Sequence, residues 1–133
     1  MKRTGCLALV LLIGCSGEKT TPSGVRYVDL VEGTGPAAQR GDYLQVQYVG
    51  TLSDGTEFDR RGPMSIWLGE HKLIPGWNDG LPGIKEGGKR KLWIPPELGY
   101  GAQGMPPAIP PNAELIFEVE AVKLVPRKGS PPR

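Results

Sequence analysis

Between Trp93 and Phe117 the chain reads WIPPELGYGAQGMPPAIPPNAELIF, and this stretch limits its possible folds more than any other. Proline has a fixed φ and no backbone N–H. Pro95, Pro96, Pro106, Pro107, Pro110 and Pro111 can therefore extend neither a helix nor an interior strand. The chain must run here as strand, stiff loop, strand. Tyr100 stands in that loop between Gly99 and Gly101, neighbours with no side chain to pack against. A loop this stiff can hold a few apolar side chains over a cavity. It contains no cysteine, serine or histidine. The pattern points to a preformed apolar pocket whose chemistry needs no reactive side chain.

Most of the remaining sequence alternates with period two, the repeat of a half-buried strand. Residues 25–31 form a first candidate. Residues 43–50 are clearer, with Leu44, Val46 and Tyr48 on one face and Gln45 and Gln47 on the other. Asp54-Gly55 is a hairpin turn signal, because glycine tolerates the positive φ such turns need. It leads to a strand ending at Phe58-Asp59, and Met64, Ile66 and Leu68 alternate again. Residues 89–94 and 114–124 supply the last strands, the latter with Leu115, Phe117, Val119 and Ala121 on a single face. One segment breaks the pattern: Ile74, Trp77, Leu81 and Ile84 recur at three- and four-residue intervals. Pro75 suits a first helical position, and Pro82 ends the helix near Leu81. About five strands and one short helix predict an α+β fold, a twisted antiparallel sheet packed on the helix.

The 133 residues suit one domain. Lys2 and Arg3 precede about ten apolar residues that end at Cys15, the proportions of a secretory signal rather than a membrane span, which needs ~20. Leu12-Ile13-Gly14-Cys15 resembles the bacterial lipoprotein signal, in which the cysteine is acylated and the chain cleaved before it. The expected organisation is a signal peptide over 1–14, a polar tether over 15–23, a compact domain over 24–125 and a flexible tail over 126–133. Cleavage would discard Cys6 and leave one cysteine, so no internal disulfide is expected. Removing Lys2 and Arg3 also leaves 14 basic residues against 14 acidic ones, and no basic stripe with interleaved aromatics argues for nucleic acid. His71 has no partner at metal-ligand spacing, so no metal is expected.

Three separated motifs then carry a resemblance: VQYVGTLSDGTEFD over 46–59, LGEHKLIPGW over 68–77, and the stretch from 93 through 120. From about residue 24 to 124 the chain resembles the FK506-binding-protein family of peptidyl-prolyl cis/trans isomerases. The resemblance implies a half-barrel of antiparallel strands over a short helix, with an apolar pocket between them. It implies that Tyr48, Phe58 and Asp59 line one wall, with Leu73 and Ile74 just before the helix and Trp77 as the floor. Tyr100 would stand on the flap, Ile109 would close it, and Phe117 would come from the last strand. The sequence departs from the family at the short DRRGP segment over 59–63, at Met64, at Ala108 and at Lys72.

The implied activity needs no cofactor. Rotation about an Xaa–Pro bond takes tens to hundreds of seconds, because it breaks amide resonance across a barrier of ~20 kcal/mol. Water favours the planar, dipolar ground state over the twisted one, and a dry aromatic pocket removes that preference. Tyr48, Asp59 and Tyr100 are the candidate catalytic residues, with Phe58, Leu73, Ile74, Trp77, Ile109 and Phe117 as substrate-binding ones. In a mechanism of this kind the Ile74 N–H and the Tyr100 hydroxyl would hold substrate carbonyls. Expected partners are Xaa–Pro-containing polypeptides, macrolides of the FK506 and rapamycin type, and a membrane reached through acylated Cys15. A monomer in the cell envelope is expected, on an outer membrane facing the periplasm if the cell has two. Taken singly, Tyr48, Phe117 and Trp77 also read as ordinary core aromatics, and a proline-binding module or holdase with little catalysis is the alternative.

Overall fold

A computed structural model describes residues 17–126. The proposed signal peptide, Cys15 and nearly all of the tail lie outside the described residues. Strands run β1 (Lys19–Thr20), β2 (Arg26–Val31), β3 (Thr34–Ala37), β4 (Tyr43–Leu52) and β5 (Glu57–Trp67). Helix α1 (Pro75–Gly80) follows, then β6 (Lys85–Glu86), β7 (Lys89–Ile94), a 3-10 turn at Pro96–Leu98, and β8 (Leu115–Val125). The main sheet has six strands in the order β1-β2-β7-β8-β4-β5, and β3 pairs with β6 in a separate two-stranded ribbon. Every pairing is antiparallel, and the sheet is open, with β1 and β5 at its edges.

The expected α+β architecture is present, with three differences. Residues 59–63 do not form a loop between two strands. They continue β5 as an edge strand, and between the Tyr48–Arg61 and Val46–Met64 pairs Gly62 and Pro63 together face Gln47. This bulge explains how a proline sits inside a strand, since an edge strand at a bulge needs no N–H there. The polar stretch expected as a tether is tied down from Lys19 onward, where β1 pairs with Tyr27 and Arg26. The short ribbon β3–β6 had no period-two signal to reveal it.

One face of the sheet is apolar. Leu44 and Val46 of β4, Leu92 and Ile94 of β7, and Leu115, Phe117, Val119 and Ala121 of β8 are all buried, together with Trp77 and Leu81. The helix lies very close to this face because Gly76 and Gly80 lie against it. A Cβ at Gly76 would come within 2.4 Å of Ile94 Cγ2, and one at Gly80 within 2.9 Å of Leu92 Cδ2. Pro75 takes the first helical position and holds Ile74 extended, at φ −63° and ψ 147°.

The end of the helix is secured by Arg90. It is 3% exposed. Its Nη1 donates to the carbonyls of Gly80 at 2.8 Å and Pro82 at 2.9 Å, and its Nε donates to Asp29 Oδ1 at 2.7 Å. The guanidinium also stacks 4.5 Å above the Tyr27 ring. A cation at a helix C-terminus satisfies carbonyls that have no partner within the helix. Arg90 thereby links the helix to β2 and β7.

Candidate functional site

The helix and the sheet leave a cavity of about 170 Å³ between them. It is lined by Tyr48 from β4, Phe58, Asp59 and Met64 from β5, and Lys72, Leu73 and Ile74 from the segment before the helix. Trp77 of the helix, Tyr100 of the loop and Phe117 of β8 complete the lining. The volume exceeds a water molecule's ~30 Å³ share several-fold but falls below the ~300 Å³ where drug-sized pockets begin. One small ring is the natural occupant.

Four aromatic rings fix the shape of the cavity. Trp77 meets Tyr48 at 4.9 Å and Phe117 at 5.3 Å, with interplanar angles of 89° and 86°. Phe117 in turn meets Phe58 at 5.5 Å and 85°, and Tyr48 at 5.7 Å and 66°. Such edge-to-face pairs contribute about 0.5–1.5 kcal/mol each beyond their burial. They also lock each ring against rotation. Strand periodicity puts Tyr48 and Phe117 on the inner face, and the helical position of Trp77 aims its ring at the same space.

Polar groups are few. The Tyr48 hydroxyl donates to Asp59 Oδ2 at 2.5 Å, and the Arg60 N–H donates to Asp59 Oδ1 at 2.9 Å. Burial, then the hydrogen bond to Asp59 and its charge, push the Tyr48 phenol far above its ordinary value. Burial, followed by the Asp59 charge, also raises Tyr100. Both hydroxyls therefore remain proton donors across the physiological range. The Tyr100 hydroxyl and the Ile74 N–H make no hydrogen bond among the described residues. The indole N–H of Trp77 is buried without a partner, a feature that concentrates at functional sites.

The loop over the cavity holds itself in place. Gly101 N–H donates to Pro96 O at 2.7 Å, Gly104 N–H to Tyr100 O at 3.0 Å, and Asn112 N–H to Gly101 O at 2.9 Å. Met105 and Ile109 exchange backbone bonds at 2.8 and 2.9 Å. Ile109 differs from its expected role. It is 2% exposed, belongs to the core cluster and is not among the residues that line the cavity.

The structure gathers Tyr48, Phe58, Asp59, Leu73, Ile74, Trp77, Tyr100 and Phe117 around one space. Met64 and Lys72, two of the positions at which the sequence departs from the family, line it as well. Sequence reasoning missed Asn78, whose Oδ1 accepts from Gly69 N–H at 2.7 Å and whose Nδ2 donates to Glu70 O at 2.8 Å. That side chain fixes the segment leading to Leu73 and Ile74. A polar residue beside Trp77 on a helix this short was the available signal. A larger hollow of about 350 Å³ lies on the opposite face of the sheet, near Gln47, Val49, Arg61, Lys89, Glu118 and Glu120. Its lining is mostly charged, and Tyr48 is the one aromatic in it. Among the described residues no group of three or more His, Cys, Asp or Glu side chains could hold a metal ion.

Comparison with known proteins agrees with this geometry. Residues 35–122 match the family described as FKBP-type peptidyl-prolyl cis-trans isomerase. An FK506-binding protein of Neisseria meningitidis serogroup B is 51% identical over 105 residues, covering 76% of this chain and 96% of that protein. FK506-binding protein 4 of Dictyostelium discoideum is 49% identical over 109 residues, which are 80% of this chain but 30% of that longer protein. The crystal structure of FkpA from Escherichia coli superposes with a TM-score of 0.75 at 45% identity, over 86% of this chain and 54% of that one.

Proposed function

The chain belongs to the FKBP-type peptidyl-prolyl cis-trans isomerase family, and from that premise we propose that it turns Xaa–Pro bonds by holding them in the cavity over Trp77. The observation that carries this reading is the Trp77-floored space walled by Phe58, Phe117 and Tyr48, rings that hold one another edge to face and leave the cavity open at its mouth. A proline ring seated on the indole loses its water shell. The planar amide, which water stabilises more than the twisted one, thereby loses its advantage. Each ~1.4 kcal/mol of that difference is a tenfold gain in rate.

In this reading Phe58 and Phe117 flank the proline ring. The Ile74 N–H and the Tyr100 hydroxyl, both uncommitted, take substrate carbonyls and fix the direction of the peptide. Asp59 holds the Tyr48 ring through its short hydrogen bond and keeps the carboxylate at the rim. No proton transfer or covalent step is required. A macrolide of the FK506 or rapamycin type would place one ring in the cavity and rest mostly outside it, since the space is too small for the whole ligand.

The proposal extends to place. Acylation of Cys15 after signal cleavage would anchor the domain to the cell envelope, where exported polypeptides are its clients. The Leu12-Ile13-Gly14-Cys15 sequence supports this reading. The ordered start at Lys19 would keep the domain near the membrane surface. Cys15→Ala should move the protein from membrane to soluble fractions, and continued membrane association of that variant would contradict the anchor.

The isomerase reading is tested by Phe58→Ala in a proline-limited refolding assay. Loss of one wall should slow catalysed refolding by more than about tenfold while the fold persists, as expected when a positioning contact is lost. An unchanged rate in a folded variant would refute the cavity as the site. Tight peptide binding without acceleration by the wild type would favour a holdase instead.

A further inference from the structure

We propose that Lys72 sets a substrate preference for an acidic residue within two positions of the reacting proline. This inference deepens the isomerase reading and rests on it. Lys72 lines the cavity beside Leu73 and Ile74. It is exposed and forms no ion pair among the described residues.

Three acids on the neighbouring elements are already engaged. Asp59, the one carboxylate in the lining, accepts from the Tyr48 hydroxyl and the Arg60 N–H. Glu57 pairs with Arg60 at 2.9 Å and Asp79 with Arg40 at 2.6 Å. Glu70 lines a separate hollow with Arg40 and Trp67. The mouth of the cavity therefore holds a cation that no carboxylate among the described residues pairs with. A substrate carboxylate would supply it.

The distance follows from the geometry of a bound peptide. The cavity takes one ring, so residues on either side of the proline lie across its mouth. Two residues of extended chain span about 7 Å, a length comparable to the reach of a lysine stem. Lysine also keeps its head in water while its stem lies on apolar surface. Lys72 can therefore cover the wall by Leu73 and still meet a carboxylate. Arg61 and Lys89, also without an ion pair among the described residues, line the hollow on the opposite face of the sheet, and a preference carried by either would survive in Lys72→Gln.

The test measures kcat/KM of the full chain for peptides with a single proline that differ only by Glu, Gln or Lys at each of the four flanking positions. At low ionic strength at least one position should favour Glu over Gln by about three- to fivefold, the scale of an exposed ion pair, and disfavour Lys. The ratio should fall towards one in 1 M salt, where the screening length is about 3 Å. Within Lys72→Gln the Glu/Gln ratio should be close to one, and within Lys72→Glu it should invert. A wild-type ratio of one at every position overturns the proposal, as does a preference that survives in Lys72→Gln. Acceleration of the Gln peptides is read independently: if they are accelerated without any Glu preference, this proposal alone fails. If no peptide is accelerated, the isomerase reading fails with it.

Discussion

Gly50 lies in the middle of β4, with strand neighbours Asp59 on one side and Phe117 on the other. A Cβ added there would come 2.6 Å from Phe58 Cζ and 2.9 Å from Phe117 Cε1, where ordinary contact begins at 3.4 Å. Gly50→Ala must therefore push the Phe58 ring by about 0.8 Å, and that ring is held in place by its edge-to-face contact with Phe117. Overpacking of this kind costs about 1–3 kcal/mol of stability. A wall displaced by nearly 1 Å should lower kcat/KM by roughly ten- to a hundredfold. Gly62→Ala is the control: a Cβ there meets nothing within 4 Å, and the change in stability should stay below about 0.5 kcal/mol. Urea unfolding gives the first quantity and peptide isomerisation the second. A folded Gly50→Ala variant with activity within twofold of wild type would refute the reasoning, because the rings would then not define the reacting space.

Asn78→Ala leaves Gly69 N–H without its acceptor and Glu70 O with only the Leu73 N–H, at 3.3 Å. It should cost about 1–3 kcal/mol and raise KM more than it lowers kcat, since it loosens the segment that carries Leu73 and Ile74. Unchanged KM would mean the segment is held by other contacts. Tyr48 and Tyr100 have folded-state values raised above the ordinary 10.0. The stability they add is complete below that value and is lost as pH rises from 10.0 towards the folded-state values. Ultraviolet titration should show these two phenols ionising later than in the urea-unfolded chain, with thermal stability falling in the same alkaline range. Ionisation of Tyr48 and Tyr100 at the ordinary value in the folded chain would contradict the burial and bonding described for them.

Strand β8 was legible because Leu115, Phe117, Val119 and Ala121 alternate cleanly and all four face the core. The helix was legible because Pro75 and Pro82 bracket a different spacing. Leu81 and Ile84 nonetheless lie past its last turn, so the apolar period outran the helix itself. Residues 59–63 misled because proline and glycine signal a break. An edge strand with a bulge tolerates both, and edge position is a property of the whole sheet. The role of Arg90 was not legible for a related reason: it sits in a charged run, and its carbonyl acceptors come from the end of the helix rather than from a neighbouring strand. The site was read mostly through the family resemblance. Periodicity placed Tyr48, Phe117 and Trp77 towards the core but could not separate a cavity wall from ordinary packing. Ile109 shows the limit of that transfer, since position in a loop does not say which way a side chain turns.

The central claim is that a desolvated aromatic cavity speeds rotation without moving a proton. The ratio of kcat/KM in H₂O to that in D₂O, measured on one proline peptide across neutral pH, tests it most directly. If the Tyr48, Asp59 and Tyr100 groups only bind and orient, the ratio should lie close to one. A ratio of about two or more would mean that a proton is in flight in the transition state, and the account would be wrong.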